Sequence, residues 1–102
     1  MNKQEHGDAF SATATHATAA VASNAAVTEK THYITNVSVS SDKAGAILLI
    51  KQGTTTIWQL QVGASKESIV FPSPLKGALS ALVSAEIDGT SACKANIAGF
   101  TL

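Results

Sequence analysis

The feature that most restricts this chain is a period of two. From Thr31 to Ser40 apolar and polar side chains alternate, with Tyr33, Val37 and Val39 on one face and His32, Asn36 and Ser38 on the other. Successive side chains of a strand point to opposite faces, whereas a helix needs apolar residues three and four apart. No such helical stripe follows Lys30. Gly45 to Lys51 carries a continuous apolar run through Ile47, Leu48, Leu49 and Ile50, which predicts a strand covered on both faces. Gln52-Gly53 then turns the chain into Thr54–Val62, a hairpin in which Thr56, Trp58, Leu60 and Val62 share a face. Trp58, the largest apolar side chain, is the expected core anchor.

Glu67 to Phe71 reads as a short strand, and Pro72-Ser73-Pro74 is expected to stop its ladder, since proline donates no backbone hydrogen bond. Leu79, Ala81, Val83, Ala85 and Ile87 alternate again. Asp88-Gly89 is a hairpin signal lengthened by Thr90 and Ser91, and the last strand sets Cys93, Ala95 and Ile97 on one face. Seven or eight short strands at near-regular spacing predict an all-β fold, an antiparallel, jelly-roll-like β-sandwich.

The pattern weakens before Lys30. Ala9 to Ala26 is rich in Ala, which favours helix, but Thr13, Thr15, Thr18 and Val21 pull toward extended structure. The expectation is an N-terminal arm over residues 1–30, mobile to about Phe10, with an edge strand from about Thr15 to Val21. The sandwich domain then covers residues 31–102.

Composition narrows the function. The 102 residues suffice for one domain with one modest core. Only 14% of them are charged, against about 25% in an average soluble domain, and the net charge is zero. A surface this poor in charge suits a chain built to assemble. Seven scattered lysines and no arginine give no basic patch, so nucleic acid is not an expected partner. Cys93 is the one cysteine, a small buried hydrophobe in this reading. Met1 to Phe10 is polar with no apolar run behind it, and no stretch approaches about 18 apolar residues. The chain is therefore expected to be made in a cytoplasm and not to enter a membrane.

No catalytic constellation emerges. His6, His16 and His32 lack the spacing of a metal-binding pair, and each reads as a solvated side chain. Glu86 and Asp88 lie two apart on one strand face, where they read as solvation and edge protection rather than a glycosidase pair or, with Asp42, a calcium site. There is no nucleophile elbow, phosphate loop or dinucleotide fingerprint. The expectation is a binding or structural protein, not an enzyme, with no cofactor and no metal. Tyr33, Trp58, Phe71 and Phe100 fall in strands and are expected in the core. Phe10, in the arm, reads as a peg that docks on a partner. With Thr13, Thr15 and His16 it makes up the expected partner-binding set.

The run from Tyr33 to Phe100 resembles a group of small virion structural proteins of tailed bacteriophages. The resemblance lies in Tyr33-Ile34-Thr35-Asn36-Val37-Ser38-Val39-Ser40, Ile50-Lys51-Gln52-Gly53, Ile57-Trp58 with Val62, Phe71-Pro72-Ser73-Pro74-Leu75-Lys76-Gly77, and Ala95-Asn96-Ile97-Ala98-Gly99-Phe100. These motifs are weak singly and persuade by their order. The resemblance implies a capsid decoration, or cement, protein on the virion. Such a protein binds the major capsid protein or another virion protein, has a β-sandwich fold, and forms a homo-oligomer with a trimer favoured. The second reading is a carbohydrate- or receptor-binding module on a virion, which would expose an aromatic ring.

Overall fold

The computed structural model describes residues 8–102. Eight strands follow in chain order: β1 (Asp8–His16), β2 (Ala19–Asn24), β3 (Thr31–Ser40), β4 (Ile47–Gln52), β5 (Thr55–Gln61), β6 (Lys66–Leu79), β7 (Val83–Asp88) and β8 (Cys93–Thr101). They form two four-stranded antiparallel sheets packed face to face. Sheet A has the order β1-β8-β3-β6, and sheet B the order β2-β7-β4-β5.

That order is a jelly roll. The chain pairs like one long hairpin: β4 with β5 at the tip, then β3 with β6, β2 with β7, and β1 with β8. Rolling the hairpin brings β8 against β3 and β7 against β4. The tip is the Gly53 turn, where φ of 56° favours a residue without a Cβ. The core between the sheets is aliphatic: Ile34, Val37, Leu48, Ile50, Val83 and Ile97 are fully buried.

Residues 8–24 are not an arm. β1 runs the full length of β8, from Asp8 opposite Thr101 to His16 opposite Cys93, and β2 pairs with β7. The extended segment also begins earlier than expected and breaks at Ala17-Thr18, where the chain crosses from sheet A to sheet B. Ala20 and Ala22 are buried, and Ala12 and Ala14 pack on the core. The alternation was present, but written as Ala against Thr and Ser, a contrast in hydrophobicity too small to register as a period. The part of the expected arm from Met1 to Gly7 lies outside the described residues.

β3 departs from simple alternation. His32 and Ile34 are buried, and so are Val37 and Val39, although the two pairs have opposite parity. An extra residue, Thr35, shifts the register of β3 against both β6 and β8 between Ile34 and Asn36. This bulge turns His32 inward and Tyr33 outward, reversing the expected faces of both.

β6 likewise runs through Pro72 and Pro74 instead of stopping. Its register jumps from Val70, opposite Asn36, to Leu75, opposite Ile34. The intervening residues bulge from an edge strand, where no ladder N–H is required of proline. Leu79 leaves the alternation of β7: it ends β6, two-thirds exposed, and the positive φ of Ser80 follows it. The Asp88-Gly89 turn is not a hairpin either. It arches between the sheets, because β7 belongs to sheet B and β8 to sheet A.

Candidate functional site

The polar residues nominated for chemistry serve the architecture. His32 is buried, contrary to the solvated position expected of it. Its Nε2 lies 2.7 Å from the Ala25 carbonyl oxygen, which only accepts, so Nε2 carries the proton. Nδ1 therefore accepts from the Thr101 hydroxyl at 2.7 Å. His16 is exposed, and its Nδ1 accepts from the backbone N–H of Thr18 and of Ala19, each at 3.0 Å. It closes the crossing from β1 to β2. His6 lies outside the described residues.

The acids are held in the same way. Asp42 accepts hydrogen bonds from the Ser91 hydroxyl, from Thr90 N–H at 2.7 Å and from Ser91 N–H at 3.3 Å. These donors hold its carboxyl well below the ordinary aspartate range, the Ser91 hydroxyl most strongly. Asp88 pairs with Lys43 at 2.6 Å, and that ammonium lowers its pKa. Glu86 pairs with Lys51 at 3.0 Å. Among the described residues no three His, Cys, Asp or Glu side chains converge as metal ligands would. Cys93 is buried, its thiol directed to the His16 carbonyl at 3.3 Å.

The four residues expected to meet a partner are all on β1, on different faces. Phe10 is not a free peg. It turns inward opposite Gly99, and its ring meets His32 edge-on at 5.3 Å between centroids. Gly99 is an inward position where the Tyr33 backbone leaves no room for a Cβ, and Phe10 shares that inward face by its pairing with Gly99. Thr13 and Thr15 point outward and are exposed, with Thr13 Oγ1 accepting from Asn96 Nδ2 at 2.6 Å. His16 closes the strand.

What remains open is surface. β4, expected to be covered on both faces, is covered on one. Leu48 and Ile50 face the core, while Ile47 (46% exposed) and Leu49 look out of sheet B, as Val21 (46% exposed) does. Register sets Glu86 between them: Val21 lies opposite Glu86, Glu86 opposite Leu49, and Leu49 opposite Gln59. These side chains line a shallow depression of about 440 Å³, with the Lys43–Asp88 ion pair at one end.

A second depression of about 460 Å³ lies on sheet A, lined by polar residues that include Ser38, Ser40, Lys66 and Lys94. On the same sheet Tyr33 and Phe100 stack at 5.0 Å with 13° between their planes. Both were expected in the core, yet they sit half-buried on the outer face: Tyr33 because of the bulge at Thr35, and Phe100 because it alternates with the inward Cys93, Ala95 and Ile97. Trp58 is half-buried rather than a central anchor. It meets Phe71 edge-on at 5.1 Å where the two sheets end. No protein-family model, curated protein or solved structure matches the chain.

Proposed function

We propose that this protein is a virion structural protein of the capsid-decoration type, which binds an assembled protein lattice and strengthens it without chemistry. The observation that carries the reading is the outer face of sheet B. There Val21, Ile47 and Leu49 point outward around Glu86, apolar side chains on a strand face that in a lone domain would be polar. The charges on it among the described residues, Lys43 with Asp88 and Lys51 with Glu86, neutralise one another locally. Such a face can be laid flat against a neighbour without leaving an unpaired charge buried. The jelly roll adds an argument by analogy, since viral capsid domains use this fold, as do lectins.

The test is co-sedimentation with assembled phage heads, set against the unassembled major capsid protein. Retention on heads, lost in Ile47→Lys with Val21→Lys, is the expected result. A protein that stays in the supernatant with both overturns the reading. Deleting residues 1–30 would not test attachment alone, because that deletion takes away β1 and β2.

The second reading, a carbohydrate-binding module, is favoured by the Tyr33–Phe100 pair. A half-exposed stacked aromatic pair on an outer sheet face offers ring surface to the apolar face of a sugar. Glycan binding that disappears in Tyr33→Ala and Phe100→Ala, with the fold intact, would favour it over lattice attachment.

A further inference from the structure

The sandwich has four strand edges, and three are guarded. β6 carries Pro72, Pro74, Lys66 and Lys76 and two breaks in register. β5 holds an extra residue, Ile57, between Trp58 opposite Ile50 and Thr56 opposite Lys51. β2 is only six residues long. Prolines, charges, bulges and shortness are the usual protections against edge-to-edge pairing. β1 has none of them. Its nine residues pair with β8 on one side without a register break, and its interior, Ala9 to Thr15, has no charge, proline or glycine.

We infer that β1 is a homodimer interface, pairing antiparallel with β1 of a second copy about a twofold axis through Ala12. Full overlap of Asp8–His16 with itself permits only that axis. It places Ser11 opposite Thr13 on the outer face, where hydroxyls bond across strands, and Phe10 opposite Ala14 on the inner face. At each end it sets Asp8 of one copy opposite His16 of the other.

That last pairing is complementary. His16 uses Nδ1 to accept from Thr18 and Ala19, so the ring proton is on Nε2 and available to a carboxylate. Nine residues paired in this way make eight or ten ladder hydrogen bonds, depending on which alternate residues face the partner, close to the roughly ten of a standard interface. The product is a continuous eight-stranded sheet with an isologous interface, closed by its symmetry. This inference rests on the edge strand alone and does not depend on the decoration reading.

The experiment is light scattering on a sizing column, with circular dichroism to establish that each variant folds. The wild type is expected at twice the chain mass of 10.4 kDa. Ser11→Lys with Thr13→Lys sets ammonium groups opposite each other across the axis and is expected at half the wild-type mass. Ser11→Glu with Thr13→Glu is expected to behave the same way, and mixing the two variants restores the dimer. A monomeric or trimeric wild type overturns the inference, as does a dimer that survives the lysine pair. A mixture that stays monomeric overturns the register at Ala12.

Discussion

His32 and Gly99 lie on neighbouring strands at one end of sheet A, and each tolerates little change. His32 donates to the Ala25 carbonyl and accepts from Thr101 in a buried position. His32→Leu leaves the buried Thr101 hydroxyl without this bond, at a cost of about 1–3 kcal/mol, and removes the donor to the carbonyl of the exposed Ala25. Adding Thr101→Val removes one orphan, so the double variant is expected to unfold at a higher temperature than His32→Leu alone. Chemical denaturation of the two singles and the double gives the coupling energy directly.

Gly99 lies opposite Ile34 just where the β3 bulge begins, and a Cβ there would collide with the Tyr33 carbonyl, 2.9 Å from its carbon. Gly99→Ala is expected to cost about 2–3 kcal/mol through overpacking, lowering the thermal midpoint by roughly 10–20 °C. Calorimetry checks it. Sequence could not mark either residue. A bulge is a single inserted residue, and Thr35 has no composition that sets it apart from its neighbours. Alternation read across it therefore assigned His32 and Tyr33 to the wrong faces.

Among elements, β7 and β8 were legible because each alternates within itself, β4 because its apolar run is continuous, and the tip between β4 and β5 because Gly53 is local, whereas the bulges hid the faces of β3 and the length of β6. The arches were not. Asp88-Gly89 has the composition of a hairpin turn, but what it joins is decided by β2 and β1, remote in sequence. Two arches are tied by charge: Asp42, between β3 and β4, receives the donors of Thr90 and Ser91, and Lys43 reaches Asp88.

The folded pKa values of both aspartates are depressed. Their contribution is therefore fully present above the ordinary unfolded value, about 3.9, and is lost as pH falls through the lower folded values. The thermal midpoint is expected to be flat from neutrality to about pH 5 and to fall below about pH 4. Asp42→Asn lowers the plateau and makes that acid decline shallower. An acid decline as steep in Asp42→Asn as in the wild type would show that the arch is not held by this carboxylate.

At the scale of the molecule, the fold class was readable and the connectivity was not. Eight strands and their turns indicate a sandwich, but a jelly roll pairs the first strand with the last, a relation with no local trace. This has a consequence for the division at Lys30. Without residues 1–30, β8 loses its partner on one side and β7 loses β2, while the inner faces under Ala12, Ala14, Ala20 and Ala22 open to water. About fifteen backbone hydrogen bonds and one flank of the core go with them. A domain of 102 residues has a margin of about 5–15 kcal/mol, too little to absorb that loss. The fragment 31–102 is expected to be unfolded or aggregated, with the Trp58 emission of a solvated indole and collapsed amide dispersion. A fragment that instead folds cooperatively, with native Trp58 emission, would restore residues 8–24 to the standing of an appendage.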